Sequence, residues 1–561
     1  MIKTSSQSGH FRSSPLLLLL LLAACCWSPP TVLAQRQQAQ RPNIIIMQPD
    51  DFEFLAEWTP PAHFNDENGP IHRLRGLVPN INRLRYQGLT MQRAYTTSPM
   101  CGTSRYSTMT GRYPSRSAFS RSQNSGSHDV ISRVTIPTTK LLDVPTVGDG
   151  LDCSRNNLAA LLRQHGYATG VTGKWHLGLG TLLDAPYAQQ QATVRACGFD
   201  TAEAIYWENL FTADGSFLHN VEHVTDEAIQ FIDRANNQQK NFFLYFNPTA
   251  PHTSGNVYSS LMEHTCLETP GGLLEREPSI PGMTEGRGCE AYRQSILDRA
   301  QGDTSNRVLG SIWVDDAVGA LLTHLERIGE LGNTIFLFQM DHGREGKGSL
   351  YEPGIRIAQF VHYPNHIAPG SSYNGLVSTI DIAPTIAAYV GIGATSPGWY
   401  PMDGRSWKHL VEQRVVYDRC LVTELDQDRA VVCRCSKSLE IGNLDVSRTS
   451  RRSENLGLAG DGYYELCDNG VYRTSPSTSS PEVASEFYAN TAAMERVDAL
   501  QTCHVQMTQP NVNPVYGRCR RQEGTPPPAA GRPSVFGVIS SSFRSLNLML
   551  NNLVTGKQPQ P

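Results

Sequence analysis

The sequence predicts an α/β protein: a large, doubly wound sheet flanked by helices, with a smaller antiparallel α+β domain towards the C-terminus. Three observations lead there. Short apolar runs at 42–52, 241–252 and 334–343 each end in polar or charged residues. Helical patterns lie between them, the alternation that builds a parallel sheet. After about residue 412 the alternation gives way to shorter β-like runs that carry several cysteines.

Taken in order, residues 1–34 read as a secretory leader and are set aside from the fold. Lys3 and Arg12 form its positive region, Leu16 to Leu22 begin a short apolar run, and Val32-Leu33-Ala34 fits a small-residue cleavage site. That run is too short to span a bilayer comfortably, and no other stretch reads as long and apolar enough to do so. The chain is therefore expected to be secreted, extracellular or periplasmic, with no stable transmembrane anchor. Leu22-Ala23-Ala24-Cys25 also resembles a lipobox, which would anchor the chain at Cys25 instead.

The large domain is expected over 35–412. Its first buried strand lies in Pro42-Asn-Ile-Ile-Ile-Met-Gln-Pro, running into Asp50-Asp51-Phe52. Helices are expected at Leu158 to His165, Asp226 to Ala235 and Val314 to Ile328, with Gly166 and Gly329 where a helix favours a C′ glycine. Strands are expected at Asn241 to Asn247, running into Ala250-Pro251-His252, and at Thr334 to Met340, running into Asp341-His342-Gly343. Two stretches without periodicity, about Ser117 to Leu151 and Thr253 to Asp303, read as long functional or flexible loops. The small domain, 413–521, holds β-like runs at Cys420 to Leu425, Ala430 to Arg434 and Tyr463 to Cys467, then an amphipathic stretch at Ala493 to Cys503. The Pro-, Ser- and Asn-rich segment 522–561 reads as a flexible tail.

Composition narrows the function classes. With 561 residues, 39% hydrophobic and 18% charged, the chain is neither a disordered tail, a collagen-like fibre nor a disulfide miniprotein. Lysine and arginine number 48 against 52 acidic residues, so nothing draws the molecule as a whole to nucleic acid. Thirteen cysteines become eleven once Cys25 and Cys26 leave with the leader, and an odd total leaves one thiol outside intramolecular disulfides. Disulfides suit an exported chain. Cys433-Arg-Cys435 as half of a zinc site is the alternative, but no matching pair follows it.

The polar residues fall at strand ends, where ligands bind in open α/β sheets. Asp50, Asp51, Asp341 and His342 are three hard carboxylates and one imidazole, a set that suits Ca2+ or Mg2+. Taken alone, each pair reads more readily as a helix cap or a solvated turn than as a metal site.

A third segment decides between those readings. Residues 99–116 run Pro-Met-Cys101-Gly-Thr103-Ser-Arg105-Tyr-Ser-Thr-Met-Thr110-Gly111-Arg112-Tyr-Pro-Ser-Arg116. They resemble the Cys-x-Pro-x-Arg and Leu-Thr-Gly-Arg signature of the type I sulfatases, whose cysteine is oxidised during export to Cα-formylglycine. Gly166-Tyr-Ala-Thr-Gly-Val-Thr-Gly-Lys174-Trp-His176 is similar to the second signature. Ala250-Pro251-His252, Val314-Asp315-Asp316, Asp341-His342-Gly343, Gly346-Lys347, Tyr351-Glu352-Pro353-Gly354 and Asp381-Ile-Ala-Pro384-Thr385 match further motifs in the expected order.

The resemblance implies an alkaline-phosphatase-like fold with a mixed sheet, and a sulfuric ester hydrolase resembling arylsulfatases. It implies a formylglycine-generating enzyme as partner during export. It also implies one divalent ion, Ca2+ before Mg2+, held by Asp50, Asp51, Asp341, His342 and residue 101. Cys101, as formylglycine, would be the nucleophile, oriented by Arg105. Lys174 and Lys347 would neutralise the sulfuryl oxygens. His252 would protonate the leaving oxygen, and His176 would take the proton whose loss expels sulfate. The substrate would be an aryl sulfate or a sulfated carbohydrate; the basic Arg121, Arg133 and Lys140 would suit a sulfated polysaccharide and read equally well as solvated charges.

Two departures from the family bear on the chemistry, beside Met109 for the leucine of Leu-Thr-Gly-Arg. His342 stands where the family more often has asparagine, and Thr103 replaces the proline that the modifying enzyme reads. The second departure keeps one rival in view, a sulfatase-fold protein that binds sulfated glycans without turnover; a phosphate or phosphonate ester hydrolase on the same scaffold is the other.

Overall fold

The computed structural model describes residues 41–52, 75–114, 157–177, 185–206, 219–252, 257–344, 346–393 and 402–416, and, of the C-terminal part, 419–425, 428–434, 436–440, 462–468 and 471–472. The leader with Cys25, the stretch carrying Arg121, Arg133 and Lys140, the segment Ala493 to Cys503 and the tail from 522 lie outside the described residues.

The strands of the large unit are β1 (Asn43–Met47), β2 (Leu89–Tyr95), β3 (Ala168–Lys174), β4 (Thr201–Tyr206), β5 (Phe242–Asn247), the hairpin pair β6 (Glu268–Thr269) and β7 (Gly272–Leu273), β8 (Thr334–Gln339), β9 (Arg356–Ile357), β10 (Gln359–His362) and β11 (Ser371–Ser378). All but β6 and β7 form one sheet in the order β11-β2-β10-β8-β1-β5-β3-β4, with β9 alongside β2. β8, β1, β5, β3 and β4 are mutually parallel, as the alternation predicts. β10 runs antiparallel to both β8 and β2, and β9 antiparallel to β2, so the sheet is mixed. Between β8 and β9 the described residues hold only the four-residue helix Glu352–Ile355, too short to carry the chain back across the sheet, so β10 pairs antiparallel to β8.

The central strands read Asn-Ile-Ile-Ile-Met, Phe-Phe-Leu-Tyr-Phe-Asn and Thr-Ile-Phe-Leu-Phe-Gln, and every residue in them is buried. Strands covered on both faces are apolar throughout rather than alternating. Helices Pro79–Gln87, Leu158–Gln164, Tyr187–Ala196, Val221–Asn237 and Asn306–Arg327 flank the sheet. Gly166 and Gly329 take the left-handed conformation, φ +88° and +75°, just beyond their helices. Asp315 of helix Asn306–Arg327 accepts from the backbone N–H groups of Asn80 (3.1 Å) and Ile81 (2.7 Å), so part of the Val-Asp-Asp motif caps a neighbouring helix.

Two expectations need correction. Thr253 to Asp303 is not one long loop: among its described residues are helices Val257–Met262 and Gly288–Ala300. Cys289, Tyr292, Arg293, Ile296 and Ala300 form the buried stripe of the second helix, and Arg293 within it obscures the apolar period because it is buried against Glu222 (2.9 Å). Helix Asn306–Arg327 is long and apolar enough to cross a membrane, contrary to the expectation that no such stretch exists. It is the core helix of the domain, with 83% of its apolar window buried.

Beyond the large sheet, β12 (Leu421–Leu425), β13 (Asp428–Val432), β14 (Ser436–Glu440) and β15 (Gly462–Glu465) form a four-stranded antiparallel sheet. Leu421, Ala430, Val432 and Leu439 of this sheet, with Leu466 beyond it, pack on Tyr95, Leu350, Tyr351, Ile355 and Leu376 of the large unit.

Disulfides link Cys266 to Cys289 and Cys420 to Cys433, and Cys197 is also disulfide-bonded. The bonded Cys433 removes the zinc alternative at 433–435. Cys101 is free and buried.

Candidate active site

Because β8, β1, β5 and β3 are neighbours and parallel, their carboxyl ends open onto one place. Asp341-His342 leaves β8, Asp50-Asp51 leaves β1, His252 follows β5, and Lys174 closes β3 with His176 just beyond. Helix Cys101–Thr110 presents Cys101 in its first turn, where the helix field favours negative charge. Arg105 lies one helical turn further on. All ten predicted residues are thus drawn into one cluster, buried except for the partly exposed His176 and Lys347.

Asp51 and His176 take φ of +54° and +49°, left-handed values that side chains rarely adopt. At Asp51 the backbone N–H donates to Asp341 Oδ1 at 3.3 Å, and the carboxylate reaches Lys347 Nζ at 2.7 Å and His342 Nε2 at 3.1 Å. Lys174 Nζ donates to Asp50 Oδ2 at 2.5 Å. Arg105, fully buried, lies 3.6 Å from Asp50 and 3.5 Å from Asp341. His252 Nε2 lies 3.2 Å from Lys347 Nζ and 3.4 Å from Asp51. Cys101 Sγ lies 3.3 Å from His342 Nε2.

Lys347 is held by a loop that folds back on itself. Gly343 N–H donates to the carbonyl of Gly354 (2.9 Å), Gly346 to Pro353 (3.2 Å) and Gly348 to Pro99 (3.0 Å). A Cβ on Gly343 would lie 1.9 Å from the Pro353 oxygen, so this close approach requires glycine.

The charges interlock. Burial opposes ionisation of Asp50, yet Lys174 and the other cations around it hold its pKa well below the usual carboxylate value. Asp51 is depressed too: burial opposes, but the hydrogen bond from His342 and the charge of Lys347 prevail. Asp341 is raised, by burial first. Burial would discharge His342, but Asp341, Cys101 and Asp51 drive its pKa well above the ordinary histidine value. His176 is pushed well below that value, by burial and then Lys174, and His252 is lowered to about 4, by burial first.

The cluster fits a cation. Ligand atoms of Asp51, Cys101, Asp341 and His342 all lie within 4.8 Å of one another, and a second grouping joins Asp50, Asp51, Cys101 and His252. Asp50 Oδ1 and Asp341 Oδ2 are buried without a hydrogen-bond partner, the state of oxygens built to receive a charge.

Sequence reasoning missed the polar layer beneath. Gln48 Nε2 donates to Ser104 Oγ (3.3 Å) and Gln48 Oε1 accepts from Tyr245 (2.6 Å), while Gln339 donates to Thr108 Oγ1 (2.8 Å). These bonds tie β1, β5 and β8 to the helix that carries Cys101 and Arg105. The only sequence signal is a lone polar group at or near the end of each apolar run.

A profile of the Sulfatase family matches residues 42–392. The chain is 24% identical over 450 residues to the N-acetylglucosamine-6-O-sulfatase of Bacteroides thetaiotaomicron, a match covering 67% of this chain and 72% of that protein. It is 26% identical over 396 residues to arylsulfatase A of Bos taurus, covering 63% of this chain and 65% of the relative. Of solved structures, the PsFucS1 sulfatase from Pseudoalteromonas sp. superposes with a TM-score of 0.55 at 16% identity, covering 87% of this chain and 96% of that one, a likeness of fold. The profile covers more than half of the chain and spans every motif from Asp50 to Thr385, and the chain belongs to the type I sulfatase family.

Proposed function

We propose that this protein hydrolyses a sulfate monoester, an aryl sulfate or a sulfated carbohydrate, after Cys101 has been oxidised to formylglycine by a modifying enzyme during export. The observation that carries the reading is the convergence of a nucleophile position, three carboxylates, two lysines, an arginine and three histidines on one set of strand ends. The sugar class is supported by the relative named for N-acetylglucosamine-6-sulfate ester cleavage. The leader at 1–34 and the disulfides support secretion, with the catalytic unit over 35–412 and the small unit over 413–521.

A divalent ion, Ca2+ before Mg2+, would be held by Asp50, Asp51, Asp341, His342 and residue 101, and supplies Lewis-acid polarisation of the sulfuryl oxygens. Residue 101, once converted, would supply as the hydrated aldehyde one hydroxyl for nucleophilic chemistry at sulfur and a second for release of sulfate. Arg105 sits one turn from residue 101 and orients it. Lys174 and Lys347 bring positive charge to the oxygens that gain negative charge. Lys347 donates towards His252 Nε2, so the pair can relay a proton to the departing oxygen. His176, kept neutral first by burial, would accept a proton in the second half-reaction.

Turnover of aryl sulfates against matched aryl phosphates tests the proposal. Preferential sulfate turnover, abolished by chelation and restored by calcium, is expected. Preferential phosphate turnover selects the phosphohydrolase reading, and binding of sulfated glycans without turnover selects the non-catalytic one. Within the sulfate series, His252→Ala should slow esters with poor leaving groups far more than activated phenols.

A further inference from the structure

We propose that the chain carries a second metal chemistry in the same cleft. While residue 101 is still cysteine, Cys101 Sγ, His342 Nε2 and one oxygen each from Asp51 and Asp341 form a zinc site. Oxidation of Cys101 abolishes that site. The inference concerns the unconverted chain and holds whether or not the converted chain hydrolyses sulfate esters.

The donor set is the first argument. Zinc takes four ligands from thiolate sulfur, imidazole nitrogen and carboxylate oxygen. Calcium wants six to eight oxygens, for which sulfur is a poor substitute. The four atoms lie within 4.8 Å of one another. His342 Nε2 is the hub, 3.3 Å from Cys101 Sγ, 3.1 Å from Asp51 Oδ1 and 3.7 Å from Asp341 Oδ2. The asparagine more usual at position 342 would offer only an amide oxygen, so the imidazole gives this chain its borderline-soft character.

Second, the surroundings support ligation. His342 Nδ1 lies 3.2 Å from the carbonyl oxygen of Gly343. In the metal-free chain Nε2 donates to Asp51; once zinc displaces that proton, the one kept on Nδ1 and donated to the Gly343 carbonyl leaves Nε2 as the ligand nitrogen, the arrangement that orients metal-bound histidines. Asp341 Oδ2 is buried without a hydrogen-bond partner, 3.5 Å from the Arg105 guanidinium, and Asp51 Oδ1 would share its negative charge between zinc and Lys347. All four side chains are at most 4% exposed, so a bound ion is shielded from water and competing ligands. On binding, the Cys101 thiol and His342 Nε2–H each give up a proton to solvent, and the sulfur and nitrogen lone pairs form the bonds to zinc, with no change of oxidation state. Asp50 stays with Lys174 and is not needed.

The consequence is a switch in metal preference at one residue. The cysteine form holds zinc through sulfur and nitrogen, and its thiol is covered. The formylglycine form loses the sulfur and becomes an oxygen-rich calcium site.

The test uses the full-length chain made with and without a formylglycine-generating enzyme, stripped of metal, and titrated with Co2+ as an optical stand-in for zinc. The cysteine form should develop a sulfur-to-cobalt charge-transfer band that zinc discharges and excess calcium does not. The converted form and Cys101→Ala should lack the band. His342→Asn should weaken cobalt binding by at least about tenfold. Should Cys101→Ala fold poorly, the wild-type cysteine form still gives an answer, because zinc should protect Cys101 from alkylation, read by peptide mass spectrometry. No band at saturating cobalt, a band that survives Cys101→Ala, or alkylation of Cys101 unaffected by zinc would each overturn the proposal. Sulfate ester turnover of the converted form, measured separately, keeps its own outcome.

Discussion

Thr103 sits in the first turn of the helix that opens at Cys101, and its hydroxyl donates to the carbonyl of Met100 at 2.9 Å. The same carbonyl already accepts from Ser104 N–H at 3.0 Å. Proline is tolerated in a first helical turn, where the N–H has no intrahelical partner. Thr103→Pro should therefore cost the folded state no more than about 1 kcal/mol, while restricting φ in the unfolded segment that the modifying enzyme reads. Mass spectrometry should show a larger converted fraction of residue 101 in the variant, with sulfate turnover rising in proportion. Unchanged conversion would mean that position 103 is not read. A second residue-scale prediction concerns His223, which is buried and has its pKa lowered from 6.5 to about 4 by desolvation. Between those values the unfolded chain binds the proton and the folded chain does not. Stability therefore rises with pH across that window and is lost as pH falls, by about 3 kcal/mol in all. Denaturant unfolding at about pH 7 and about pH 5 should show a smaller difference for His223→Gln than for the parent. The ten site residues were legible because motif spacing and chemistry coincide at them. Gln48, Tyr245 and Gln339 were not, since a single polar residue in an apolar strand carries no period of its own.

The loop from Asp341 to Ile355 is the element on which the cluster most depends, because it holds Asp341 and His342 at one end and Lys347 at its middle. Gly343 allows the loop to close against Pro353, and no side chain fits there. Gly343→Ala should push the two arms apart and draw Lys347 Nζ away from Asp51, now at 2.7 Å. A displacement of about 1 Å at such a group costs roughly 10²-fold in rate. Turnover should fall on that scale, whereas Gly76→Ala, where an added Cβ meets nothing within 4 Å, should leave it unchanged. Activity equal to the parent in Gly343→Ala would show that the loop does not place Lys347. Sequence reading found β1, β5 and β8 because strands buried on both faces are apolar from end to end. It did not find β2 or β11, whose Gln92, Arg93 and Asn374 interrupt the pattern, nor helix Gly288–Ala300, whose buried stripe includes Arg293.

At the scale of the whole molecule, the small sheet grips the large unit beside that same loop. Arg93 donates to the backbone carbonyls of Cys433 and Arg434, and Glu424 N–H donates to the Thr97 oxygen at 2.7 Å. The buried centre of the contact is charged: Glu352 accepts from Tyr95 hydroxyl at 2.9 Å and lies 3.5 Å from Lys437 Nζ of β14, a lysine with no exposed surface. Sequence gave no hint of this pair, because neither partner shows a period and the two are far apart in the chain. Removing one partner of a buried ion pair strands the other charge and costs about 3–5 kcal/mol, whereas removing both costs much less. Lys437→Met and Glu352→Gln should each lower unfolding stability on that scale. The double variant should recover most of the loss, giving a coupling energy well above the few tenths expected of independent sites. Because Glu352 terminates the loop that carries Lys347, the single variants should also lose turnover, and the double variant should regain it. Strict additivity in stability would mean that the pair does not act as a unit. Lost stability with turnover intact would mean that the small sheet steadies the molecule without setting the position of Lys347.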